Sequence, residues 1–197
     1  MRSRIISCAI DTLFDVGYAA TSTMEVQRRA GVSRGALLHH FPTKIDLMID
    51  TARSIVAQQA VWYDTELRRI PDKRSRLWAI SRLTWEAIKT PSGMALLEIF
   101  LATRSDPDLH RRFPPVADEL LAGQHLAMWR LARAAGVSDR EAIRRLTDAG
   151  LALMRGLSIQ LLYSTDKRAV EECFLLYRSW ERNHYLQLGV EPELVLD

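Results

Sequence analysis

Between Val26 and Lys44 the formal charges are Arg28, Arg29, Arg34 and Lys44, with His39 and His40 as further donors and no Asp or Glu among them. Guanidinium, ammonium and imidazole groups gathered in this way suit the binding of a polyanion. Arginine in particular can address a guanine edge through two parallel hydrogen bonds. The run Ser33-Arg34-Gly35 sharpens the reading. A helix that enters a major groove needs small, cationic or donor-rich residues at its N-terminal end, and a glycine there removes a side chain that would hold the helix off the duplex. Ser22 and Ser33 each stand where a helix begins, offering a hydroxyl and free N–H groups where phosphates are favoured. The whole chain carries a net charge of only +3 over 197 residues, so the placement of the charge supports this chemistry and its amount does not.

The elements that would position these residues are helices. Proline and glycine divide the chain into about nine segments, nearly all with apolar residues recurring at helical spacing. In the first, Ile6, Ala9, Ile10, Leu13 and Phe14 form one stripe, and Gly17 is expected to end the helix. Ser22-Thr23-Met24-Glu25 reads as a capping box that opens a second helix to about Ala30. After the turn Gly31-Val32-Ser33, a short third helix runs from Arg34 to about His40 and stops before Pro42. Residues 22–41 thus have the helix-turn-helix pattern of a DNA-reading module. Thr43 caps a long fourth helix reaching the Arg68-Arg69-Ile70-Pro71 break, and further helices are predicted near 73–89, 92–104, 107–133, 139–163 and 167–188. Pro114-Pro115 should kink or split the seventh.

The string Phe14-Asp15-Val16-Gly17-Tyr18-Ala19-Ala20-Thr21-Ser22-Thr23, then Val26, then Ala30-Gly31-Val32-Ser33-Arg34-Gly35-Ala36-Leu37, then His39-His40-Phe41-Pro42-Thr43-Lys44 and Leu47, closely resembles the head of the tetracycline-repressor (TetR) family. The resemblance covers roughly residues 5–50. It implies an all-α protein with a DNA-binding domain over 1–46 and a ligand-binding and dimerisation domain over 47–197. The implied partners are double-stranded DNA with a palindromic operator, a second copy of the chain, and a small-molecule effector of unknown identity. Carried over by position, Ser33, Arg34, Gly35 and His39 would face the groove and Ser22, Thr23, His40 and Lys44 the phosphates. Leu38 stands on the same surface where the family usually has an aromatic residue, most often tyrosine, so a frequent phosphate contact through a hydroxyl is absent. The arm before the first helix leaves Arg2 and Arg4 to reach DNA.

The body supplies aromatic and sulfur side chains suited to a deep apolar pocket. Trp62, Trp78, Trp85 and Met94 are the first candidates, followed by Phe100, Met128, Trp129 and Met154. Core packing alone explains most of them as well. Polar residues placed to orient a ligand include Arg82, Glu98, Arg104 and Gln160. The last two helices read as a dimer interface: Leu146, Leu153, Leu157 and Leu161 recur along one, with Ala149 and Gly156 admitting close approach, and Phe174, Tyr177 and Trp180 along the other. Two such helices from each subunit would make a four-helix bundle about a two-fold axis, as the resemblance implies; burial of the same stripes within one subunit is the alternative.

Other classes have less to stand on. Glu181-Arg182-Asn183-His184 supplies one Glu-x-x-His motif of the kind that builds di-iron sites between helices, but a second is absent, as are a glycine-rich phosphate loop and a nucleophile elbow. No enzyme activity, cofactor or metal is expected. An architectural DNA binder without an effector would need the same head and stays open. Apolar runs such as 94–97 and 157–164 fall well short of the roughly 20 residues needed to cross a bilayer, and residues 1–10 lack the pattern of a signal peptide, so the cytoplasm is the expected location. Cys8 and Cys173 lie far apart in helix-like contexts and read as small core residues.

Overall fold

The computed structural model describes residues 1–191, and every regular element among them is a helix. The order is α1 (Arg2–Ala20), α2 (Thr23–Ala30), α3 (Arg34–His40), α4 (Lys44–Arg68), α5 (Lys73–Lys89), α6 (Pro91–Ala102), α7 (Pro107–Arg112), α8 (Pro114–Ala134), α9 (Arg140–Tyr163) and α10 (Lys167–Gln187). The tenth helix arises at Pro114, where the segment read as one helix over 107–133 divides. A proline has no N–H for the preceding turn, so Phe113 closes α7 and Pro114 starts α8. Asp106 begins α7 by accepting from the N–H groups of Asp108 and Leu109, both at 3.0 Å.

Gly17 breaks the first helix, as expected, and a separate short turn follows it within the range given for α1. The φ of 73° and ψ of 173° at Gly17 are open to glycine and unfavourable for other residues, and the turn continues to Ala20. Gly31, with φ 59° and ψ 40°, gives α2 a left-handed C-cap that frees the chain to start α3.

The chain forms two compact units, Met1–Ala60 with Lys89–Leu120, and Val61–Ile88 with the chain from Leu121 onward. In the first, the helices of the head share one apolar core with α4, α6 and α7: Ile5, Leu13, Val26, Leu37, Phe41, Leu47, Ile55, Ile99 and Leu109 are among its members. In the second, Leu77, Ile143, Leu146 and Tyr185 centre one cluster, and Trp85, Met154, Phe174 and Tyr177 another. Cys8 packs against the first core, whereas Cys173 is exposed, at the edge of the α10 face that buries Phe174 and Tyr177.

Candidate nucleic-acid interface

Ser22 caps α2 by accepting from Glu25 N–H at 3.1 Å, and Ser33 caps α3 by accepting from Ala36 N–H at 3.2 Å. The expected capping box is half realised. Instead of reaching back to Ser22, the Glu25 carboxylate takes Arg28 at 2.7 Å and Arg29 at 2.8 Å. The hydrogen bonds from these two guanidinium groups hold its carboxyl at about 2. Arg29 also reaches Asp15 at 2.5 Å. Two of the four cations counted in the sequence are thus matched by acids just outside the stretch.

α3 turns Leu37 into the core and leaves Arg34, Gly35, Leu38 and His39 exposed. Arg34 has no ion pair or hydrogen bond among the described residues, and a Cβ built on Gly35 would meet nothing within 4 Å. The rest of the surface lies beside this face. Thr23 and His40 are half-buried, and the His40 ring lies edge-on to His39 with centroids 5.3 Å apart.

Lys44 is differently placed. Its ammonium donates to the Tyr18 carbonyl at 2.8 Å and lies 4.0 Å from the centre of the Tyr18 ring, and burial lowers its pKa. Arg2 and Arg4, expected on an arm before the first helix, lie within α1, where Arg2 pairs with Asp50 at 2.7 Å and Arg4 donates to the Gly31 carbonyl at 3.4 Å.

Behind the interface, Tyr18 forms a joint that no local pattern announces. Its N–H donates to Glu98 of α6 at 2.9 Å, and its hydroxyl donates to Asp106, ahead of α7, at 2.6 Å. That hydroxyl holds the Asp106 carboxyl below the usual range, while burial raises the Tyr18 phenol. Thr43 and Asp46 start α4 as a reciprocal cap, Thr43 N–H to the carboxylate at 3.0 Å and Asp46 N–H to the Thr43 hydroxyl at 3.1 Å. Arg112 adds a 2.5 Å pair to the same carboxylate.

The residues expected to line a ligand pocket do not converge on one place. Phe100 packs on the core of the first unit, and Met94 is half-buried on α6. Trp78, Met128 and Trp129 pack against one cluster of the second unit, and Trp85 and Met154 belong to the other. Trp62 is exposed beside Tyr63. A cavity of about 580 Å³ opens in the first unit, with His40, Asp46, Asp50, Arg53 and Arg112 on its wall. In the second unit the buried Trp78 Nε1 lacks a hydrogen-bond partner among the described residues, and Glu181, 5% exposed, accepts from the Tyr177 hydroxyl at 3.3 Å and faces Ser81.

The expected interface residues divide as well. Leu146, Leu157, Phe174 and Tyr177 are buried within the chain, Leu153 and Leu161 are partly buried beside them, and Trp180 is exposed. Exposed apolar side chains that the sequence reading did not single out are Leu162, Leu175 and Leu176.

Capped α2 and α3, with a bare cationic face at the start of α3, define a helix-turn-helix module within an all-helical chain. Residues 5–51 match the family described as "Bacterial regulatory proteins, tetR family". An uncharacterized HTH-type transcriptional regulator of Mycobacterium bovis is 32% identical over 123 residues, 62% of this chain and 63% of that protein. The match thus spans less than two thirds of that relative's length. Among solved structures, a transcriptional regulator from Rhodococcus sp. Rha1 superposes with a TM-score of 0.70 at 20% identity, covering 91% of this chain and 95% of that one. A transcriptional regulator from Saccharomonospora viridis, solved in complex with choline, superposes with a TM-score of 0.66 at 22% identity, covering 91% and 94%.

Proposed function

We propose that this protein is a sequence-specific, DNA-binding transcriptional repressor that works in the cytoplasm as a homodimer on a palindromic operator and leaves it when a small molecule binds the body. The observation that carries the reading is the exposed face of α3, where Arg34 stands unpaired among the described residues beside a glycine with open space above it. An unpaired guanidinium at the start of a short helix is positioned to take the O6 and N7 of a guanine. Ser22, Thr23, Ser33 and His40 flank it as phosphate contacts, and Lys44, with donors left after its bond to Tyr18, completes them.

Self-association is supported by two outward stripes. On α9, Ala149, Ala152, Gly156 and Tyr163 are exposed at helical spacing, and on α10 so are Ala169, Cys173, Leu176 and Trp180. Small residues toward the start of each stripe and large ones toward its end suit close packing against a second copy across a two-fold axis. An effector is supported by the choline found with the Saccharomonospora viridis protein and by the buried Trp78 Nε1, which has no hydrogen-bond partner among the described residues, since buried polar groups are nearly always paired.

The test is competition binding with duplexes selected from a random pool by the full-length protein. Arg34→Ala should weaken binding by about 1–3 kcal/mol and relax the preference at one base pair of each half-site. Unchanged affinity and preference would remove Arg34 from the reading.

A further inference from the structure

Leu38 is the one member of the exposed α3 face whose chemistry the binding of phosphates and guanine does not explain. At about 3.6 residues per turn it lies roughly one turn beyond Arg34, on the side toward Gly35 and His39, at the middle of the exposed arc. Its neighbours on that arc are a cation, a glycine and an imidazole; Leu38 itself is 40% exposed. Isolated exposed leucines are ordinary on protein surfaces, so the exposure by itself carries nothing. The position does, because the open space above Gly35 lets the helix approach a duplex closely along this arc.

In a major groove a leucine finds few surfaces it can cover without loss. The edges of guanine, cytosine and adenine present nitrogen and oxygen atoms that a leucine cannot satisfy, and desolvating them without a partner is unfavourable. The C5 methyl group of thymine is the apolar feature among the four bases. We infer that Leu38 is a specificity residue that reads thymine, packing its isobutyl group on the C5 methyl of a thymine beside the base pair addressed by Arg34. This rests on the reading of α3 as the element that enters the groove.

The experiment uses the full-length protein and a duplex it selects from a random pool. Each thymine is replaced in turn by deoxyuridine, which lacks only the methyl group. Wild type should lose about fourfold in affinity at one thymine of each half-site, the amount expected for one buried methyl, and little elsewhere. Leu38→Ala should bind the thymine duplex more weakly by a similar factor and no longer distinguish the two bases there, with its helical content unchanged because the side chain is outside the core. A selected duplex that tolerates every deoxyuridine would overturn the role of Leu38 and leave DNA binding standing. So would a deoxyuridine effect that persists in Leu38→Ala. A pool that yields no preferred duplex would remove both readings together.

Discussion

Replacing Gly150 with alanine should destabilise the second unit, although alanine is much the better helix former. On propensity alone the exchange inside α9 favours alanine by about 1 kcal/mol. Space decides against it. A methyl group built on Gly150 would lie 2.3 Å from the Tyr177 hydroxyl oxygen and 3.1 Å from its Cζ. Tyr177 is 4% exposed, its ring is tilted against Phe174, and its hydroxyl donates to Glu181. It can move only by disturbing an apolar cluster and giving up that bond. Overpacking of this kind costs about 1–3 kcal/mol, and a lost buried hydrogen bond about 1 kcal/mol more. After the propensity gain, a net loss of about 1–3 kcal/mol remains, roughly 3–9 °C in Tm for a chain of this size. Gly123→Ala on α8 is the matched control, since nothing lies within 4 Å of its added carbon; it should stabilise by up to about 1 kcal/mol. Scanning calorimetry at a single protein concentration compares the two. Gly150→Ala/Tyr177→Phe, which removes the oxygen at the short contact, should recover part of the loss. If Gly150→Ala proved as stable as Gly123→Ala, the packing argument would be refuted.

Leu176→Glu with Trp180→Glu should give folded monomers by light scattering, because both side chains are exposed in the single chain; a surviving dimer would move the interface off α10. Glu181 is faced by Ser81, Tyr177, Tyr185 and Arg178, and burial raises its carboxyl pKa. The folded protein therefore holds that proton more tightly than the unfolded chain, and wild-type stability falls as pH rises from the ordinary carboxylate value toward the raised one. Glu181→Gln should lack that slope in urea unfolding as the pH rises above the ordinary carboxylate value, and parallel curves for the two proteins would count against it. Tyr18→Phe should cost about 1–2 kcal/mol and speed hydrogen exchange at the end of α1; unaltered exchange would show that the bond to Asp106 is dispensable.

Much of the head was legible in the sequence because its signals are local. Ser22, Gly31, Ser33 and Pro42 each act on the nearest turn of chain, and α2 and α3 begin and end where those residues direct. The neutralisation of Arg28 and Arg29 was less visible, because it depends on the rotamers of Glu25 and on Asp15 of the preceding helix. Periodicity on α9 and α10 was ambiguous for a different reason. Each helix carries two apolar stripes, one with Leu157 or Phe174 and one with Gly156 or Leu176, and spacing does not say which faces inward. The aromatic residues of the body had a similar ambiguity: Trp78, Trp85 and Phe100 each fill a different cluster, as the same side chains would in a core without any ligand.

The Tyr18 joint constrains how any movement elsewhere in the first unit reaches α2 and α3. One residue touches α6 through its N–H, the start of α7 through its hydroxyl and the start of α4 through its carbonyl and ring, next to a glycine whose added Cβ would lie 3.2 Å from a Glu98 carboxylate oxygen. It works as a clutch between three helices. A displacement of α6 would therefore pull on α1 through the Tyr18 N–H and on the start of α4 through Lys44. The clutch also has two releases: loss of the Glu98 carboxylate would disengage α6, and loss of the Tyr18 hydroxyl would free the start of α7.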